Sequence, residues 1–185
     1  MKLVKFLFFL AFPLIATGCM TMQTPSYVPA LDNYEQLQSG HYKKTAIGDF
    51  TVADSNLQQI SVRGNPLKSS VNDSFGNYLK AALEEEIYKA GLLSKDSKCV
   101  ISGMIIENDI DAAVSTASGH ISANVVITDN GTIVFNKTVK GAHQWPSSFI
   151  GAVAIPRARE NYPLIVRNFI RTLIEDEDFK KAMAE

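Results

Sequence analysis

Glu107, Asp109 and Asp111 are the first residues in this chain whose types and spacing could do chemistry. Paired carboxylates carry out acid–base work when their surroundings split their pKa values. Residues two apart share one face of a strand. A solvated strand face with a charged end accounts for these three without any reaction, and it also discourages edge-to-edge pairing. The three histidines, His41, His120 and His143, have no histidine, cysteine or carboxylate at metal-ligand spacing. No Gly-X-Ser-X-Gly elbow frames a serine. Gly103, Gly119, Gly131, Gly141 and Gly151 are isolated and make no phosphate-cradling loop. Arg157, Arg159, Arg167 and Arg171 fit a solvated helix face better than an anion site. The expectation is a chain that is not an enzyme, with no catalytic residues, no metal and no cofactor.

Of the two cysteines, Cys99 opens the apolar run Cys99–Ile106 and reads as a buried, inert thiol. A redox role would call for a nearby histidine or a Cys-X-X-Cys. Cys19 stands in a different context. Lys2 and Lys5 precede the apolar run Phe6–Ala16, and small residues follow, which makes residues 1–18 a secretory signal peptide. The run is too short for a permanent span, which needs about 20 apolar residues. The junction Ala16-Thr17-Gly18-Cys19 resembles the lipobox of bacterial lipoproteins. The resemblance implies cleavage between Gly18 and Cys19, a diacylglycerol on the Cys19 thiol and an acyl chain on the new amino group. Once Cys19 is acylated, Cys99 has no disulfide partner within the chain.

The mature chain, Cys19–Glu185, is long enough for one domain with its own core. Removing Lys2 and Lys5 leaves 16 basic and 19 acidic residues. That balance argues against a nucleic-acid partner, which favours basic faces. It also gives no electrostatic reason to lie on an anionic membrane. Attachment is therefore expected to come from the acyl chains, at about 0.8 kcal/mol per buried methylene.

The elements that would carry these residues follow from pattern. Residues 19–42, rich in Thr, Ser, Gln and Pro, read as a lipid-anchored flexible tether, and residues 43–185 as a single periplasmic domain. Thr45–Ala53 and Leu57–Arg63 read as strands, with Gly64-Asn65-Pro66 breaking the chain. Val71, Phe75, Tyr78, Leu79, Ala82, Leu83, Ile87 and Ala90 predict a helix. Ser70 and Asp73 would form its capping box, and Gly91 would stop it. Cys99–Ile110 begins as an apolar run, as for a strand buried on both faces. The alternation Ile121, Ala123, Val125, Ile127 predicts a half-buried strand. Asp129-Asn130-Gly131 predicts a hairpin to Thr132–Lys140. Tyr162, Ile165, Val166, Phe169, Ile170, Leu173 and Ile174 predict a helix starting at Asn161–Pro163. Asp176 would cap a last helix, Glu177–Ala184. The fold class is α+β: a mixed, mostly antiparallel sheet of about five strands with two long helices on one face.

Trp145–Ile155 is the segment that this plan does not absorb. Trp145, Phe149, Ile150, Val153 and Ile155 fall outside any clear period, and Pro156-Arg157 would rim them. Exposed apolar patches mark contact surfaces, and Trp is enriched at binding hot spots. These five residues are the candidate partner-binding site. A loop folded over one end of the core is the competing reading.

The lipobox, the helix ending Tyr88-Lys89-Ala90-Gly91-Leu92, the strand Cys99–Glu107, the Asp-Asn-Gly hairpin and the ending Ile170–Phe179 together resemble small Gram-negative envelope lipoproteins. The YajG-like group is the nearest resemblance, and the auxiliary lipoproteins of ABC-type lipid transport systems a looser one. The resemblance implies an α+β domain hanging in the periplasm, with only Cys19 carrying a role across by position. In enteric-type sorting an aspartate after the cysteine holds a lipoprotein in the inner membrane. Met20 stands there in this chain, which implies the outer membrane. The expected function is a membrane-anchored interaction or assembly module with an envelope protein as partner. The alternative is an accessory lipoprotein that handles lipid or lipopolysaccharide, with the Trp145–Ile155 loop as lid over an apolar cavity between sheet and helices.

Overall fold

The computed structural model describes residues 21–185. The expected signal peptide, Gly18 and the expected lipidation site Cys19 lie outside the described residues. The element order is β1 (Met22–Gln23), α1 (Leu31–Ser39), β2 (Ala46–Val52), a 3₁₀ turn (Ser55–Gln58), β3 (Ile60–Val62), β4 (Asn65–Lys68), α2 (Phe75–Lys89), β5 (Cys99–Asp111), β6 (Thr116–Asp129), β7 (Thr132–Pro146), α3 (Gly151–Glu175) and α4 (Glu177–Met183).

The main sheet has the order β2-β5-β6-β7. β5, β6 and β7 form an antiparallel meander, and β2 joins β5 in parallel. Parallel neighbours need a crossover, and α2 supplies it while packing on β2. Asn130 and Gly131 both have positive φ, so the expected tight hairpin joins β6 to β7. Ile121, Ala123, Val125 and Ile127 all turn into the core. The fold class is the α+β arrangement that the pattern implies, with a four-stranded main sheet and a separate sheet β1-β4-β3. Arg63 and Gly64, both at positive φ, close β3 onto β4 as a hairpin, where the sequence reading had only a break.

Two expectations about burial are corrected. Cys99–Ile106 is not buried on both faces: Cys99, Ile101 and Ile105 face the helices, while Met104 and Ile106 are exposed. A bulge between Ile105 and Glu107 shifts the register, so Asn108 and Ile110 become the inward residues. One inserted residue exchanges the two faces of everything beyond it. Residues 21–42 are not a flexible tether. β1 pairs with β4, α1 packs on the body, and Thr24, Ala30, Asn33, Leu37 and Tyr42 are buried.

The helices also differ in their starts. Ser74, not Ser70, caps α2 by accepting from the Asn77 N–H at 3.2 Å. α3 begins ten residues before Asn161, at Gly151, and runs through Pro156 and Pro163. An interior proline removes one helix hydrogen bond. Burial of Ala154, Ala158, Tyr162, Ile165, Val166, Phe169, Ile170, Leu173 and Ile174 outweighs those losses. α3 reaches the sheet directly where Gly119 and Gly141 leave room: a Cβ at Gly119 would meet Ile165, and one at Gly141 would overlap the Phe169 backbone. The space that a lidded lipid cavity would need is closed there by helix against strand.

Candidate functional site

The candidate segment lies at one end of the sheet, where β5 turns into β6 and β7 leads into α3. The two loops are tied together: the Ser147 N–H donates to the Ser115 carbonyl at 2.9 Å. Arg63 reaches across from the β3–β4 turn and fastens both. Its Nε donates to the Ala112 carbonyl at 2.9 Å, and its terminal nitrogens donate to Ala113, Ser148 and Phe149 carbonyls at 2.8–3.3 Å. A planar guanidinium with fixed donors holds two chain segments in one geometry where a lysine would not.

The five expected residues separate. Trp145 is buried, at 5% exposure, opposite Ala117 on β6. Its ring stacks with His143, with centroids 6.0 Å apart. Its indole N–H has no hydrogen-bond partner among the described residues. It belongs to the core and not to a contact surface, because its position on β7 falls on the inward parity. Ile155 is partly buried against the core. Phe149 and Ile150 are 81% and 58% exposed, and Val153 is also exposed. Val114, in the adjacent loop, is 61% exposed and joins them. Sequence reasoning missed Val114 and Arg63, which are far from the segment in sequence and come to it only through the β5–β6 pairing and the β3–β4 turn.

Two arginines, Arg63 and Arg157, stand at this tip, and a third, Arg159, lies further along α3. Arg63 and Arg157 are exposed and Arg159 partly so. Arg157 donates to the Pro146 carbonyl at 3.4 Å, and Arg159 to the Gln23 carbonyl at 2.5 Å. No carboxylate among the described residues forms an ion pair with any of the three.

The chain enters the fold at this same end. β1 runs parallel to β4, with Met22 opposite Leu67 and Gln23 opposite Lys68. Followed backwards, β1 therefore heads for Asn65 and the Arg63–Gly64 turn. Thr21 and Met22 share a cleft with Pro156 and Arg159, in the second and third turns of α3.

Of the other candidates only Asp111, the last residue of β5, stands at this end. Glu107 is exposed; its Oε2 accepts from Ser122 Oγ at 2.7 Å, with His120 and Lys140 each at 3.6 Å. The Ser122 hydrogen bond and then Lys140 hold its carboxyl below the usual range. Asp109 and Asp111 point outward with it. Cys99 is buried beside Met183, and burial pushes its thiol upward. Among the described residues no three His, Cys, Asp or Glu side chains group as a metal site. No helix among them is long and apolar enough to cross a membrane.

No protein-family model and no curated protein matches the chain. Solved structures do resemble it. Protein XCC0632 from Xanthomonas campestris, of family DUF330, superposes with a TM-score of 0.55 at 11% identity, over 88% of this chain and 96% of that one. A Caulobacter crescentus CB15 protein gives a TM-score of 0.44 at 12% identity, over 81% and 93%. The minor lipoprotein from Acinetobacter baumannii gives 0.43 at 10% identity, over 76% and 95%. At such identities the first likeness is one of fold, and fold alone assigns no activity.

Proposed function

We propose that this chain is a lipoprotein of the bacterial cell envelope, anchored by acyl chains on Cys19 in the outer membrane. Its periplasmic domain is a non-enzymatic interaction or assembly module. The observation that carries this reading is how the chain enters the fold. Strand pairing has begun by Met22, three residues past Cys19, and Thr21 is two residues past it. Two residues reach at most about 7 Å. Acyl chains on Cys19 would therefore hold the body of the domain against the lipid, with no slack for it to swing.

A domain held this way works at the membrane surface and offers a partner its far end. β7 is the edge of the main sheet, with a strand on one side only. Ile133 and Val134 are exposed at its start, thirteen and twelve residues before Pro146. At about 3.4 Å per residue that is roughly 40 Å from the tip. Open edges accept added strands. The test is cross-linking and affinity mass spectrometry on the anchored protein in its native envelope, with Cys19→Ala as control. The expected result is a specific envelope protein that is lost in the control and cross-links near Ile133. A partner retained unchanged by the Cys19→Ala chain would remove the anchor from the function.

A further inference from the structure

The apolar tip sits where the chain leads to Cys19, and that coincidence identifies its occupant. We infer that Phe149, Ile150 and Val114 form a membrane-docking tip, which seats in the headgroup–acyl boundary of the leaflet that receives the Cys19 acyl chains. The inference rests on the anchored reading above and adds to it the orientation of the domain and the surface that touches lipid.

Three observations converge. The first is reach. β1 heads toward the Arg63–Gly64 turn, and Arg63 itself is bonded to the carbonyls of Ser148 and Phe149. Thr21 also shares its cleft with Pro156, fewer than two turns of α3 beyond its N-cap Ile150. A lipid-bearing residue within about 7 Å of Thr21 brings this end, and not the β6–β7 hairpin end, to the bilayer. The second is chemistry. An aromatic and two aliphatic side chains protrude while Arg63 holds the carbonyls of Phe149 and of the flanking Ala112, Ala113 and Ser148, and the Ile150 carbonyl accepts from the Val153 and Ala154 N–H groups. Inserting them therefore strands fewer polar groups in an apolar medium. Aromatic rings are enriched at membrane–water interfaces. The third is charge. Arg63 and Arg157 stand at the tip and Arg159 further along α3; none forms an ion pair with a carboxylate among the described residues, and Asp111 at the end of β5 is the acidic residue of this end. The arginines stand at the level of lipid phosphates when the tip is inserted. Alone, a few apolar side chains bind a bilayer weakly and reversibly. Beside an acyl anchor they need only orient a domain that is already there.

The full chain is purified from membranes as Phe149→Trp and, separately, as Ile133→Trp, and reconstituted into phosphatidylethanolamine–phosphatidylglycerol vesicles with or without brominated acyl chains. Trp145 is the parent's only tryptophan and is buried, so it contributes a constant background. Both replaced side chains are exposed and tolerate the change. The expected result is blue-shifted emission for F149W, quenched roughly twofold by the bromines, as for a ring about 5–10 Å into the boundary. I133W is expected to be unquenched. Equal, unshifted emission from F149W with and without bromolipid, while the chain is vesicle-bound, overturns the docking tip and leaves the patch to a protein partner. The mass of the Cys19 peptide separates the two readings. Acylated Cys19 with no quenching defeats only the docking tip. Bare Cys19 with quenching defeats only the anchor.

Discussion

Cys99 is closed off by packing, and Cys19 would be closed off by the proposed acylation. Cys99 packs behind β5 against Met183, and burial raises its thiol pKa, so the nucleophilic thiolate is scarce and shielded. A thiol reagent added to the purified mature protein is expected to find no fast-reacting sulfur in the folded state. After denaturation it should find one, Cys99, because an acylated Cys19 has no thiol. Two thiols in denaturant would show Cys19 unmodified. Cys99 was legible from its sequence context alone, since a cysteine opening an apolar run is ordinarily buried. Trp145 was not. Its parity on β7 depends on a register shift between Ile127 and Thr128 on β6, which no local pattern announces. The same limit hid Val114 and Arg63, whose roles exist only through contacts made far along the chain.

At the scale of elements, the contact of α3 with the sheet and the docking of α4 can each be tested. Gly141→Ala puts a methyl group into the Phe169 backbone, and helix and strand must separate to take it. The expected loss is about 1–3 kcal/mol, the usual cost of overpacking, read as a fall in thermal midpoint. Gly151→Ala is the control, since its Cβ meets nothing closer than 3.7 Å. α4 starts at Asp176, whose carboxylate accepts from the Asp178 and Phe179 N–H groups and pairs with Lys137 at 2.9 Å. Burial opposes its ionisation, but the Lys137 hydrogen bond and the two N–H groups prevail and hold its pKa below the usual value. A depressed carboxyl contributes stability that is present above its unfolded pKa of about 3.9 and lost as pH falls through the folded value. Asp176→Ala is therefore expected to cost about 0.5–2 kcal/mol at neutral pH. The gap between variant and parent should hold down to about pH 4 and close below it. A gap that persists unchanged in stronger acid would assign the effect to packing. The Asp176 cap, the Asn130-Gly131 hairpin and the inward face of α3 from Tyr162 onward were all readable, because each is local. The early start of α3 was not, because two prolines argue locally against a helix that buried Ala154 and Ala158 sustain through tertiary contact. α1 was hidden for a related reason: only Asn33 and Leu37 of its nine residues are buried, too few to show a period.

For the whole molecule, the decisive question is what converts residues 21–42 from a tether into part of the body. Much of the answer is Glu86, fully buried on α2. Its Oε1 accepts from Tyr27 Oη at 2.5 Å, the Ala30 N–H at 2.9 Å and Asn33 Nδ2 at 3.2 Å. Burial, and then the Glu86 carboxylate, hold the Tyr27 phenol far above its usual pKa, so it remains a donor. Tyr78 adds a hydrogen bond to the Pro25 carbonyl at 2.9 Å, and Leu37 adds apolar burial. Glu86→Ala strands three donors, each at about 1–3 kcal/mol if left buried. Releasing the segment to water avoids that cost while the main sheet stays folded. Limited proteolysis is expected to cut between Thr24 and Asn33 much faster in this variant, with the fragment from Lys43 onward persisting. Glu86→Gln keeps an oxygen acceptor and should be milder. Once the segment is free, Cys19 and Lys43 are joined by a coil whose r.m.s. span is roughly 25–30 Å, enough for the domain to leave the bilayer. Combined with Phe149→Trp, Glu86→Ala should therefore lose the bromolipid quenching that Glu86→Gln retains. Equal protease resistance in parent and Glu86→Ala would mean that Leu37 and Tyr78 hold the segment without the carboxylate. Quenching that survived the release of the segment would mean that the tip finds the lipid by its own affinity and not because the chain delivers it there.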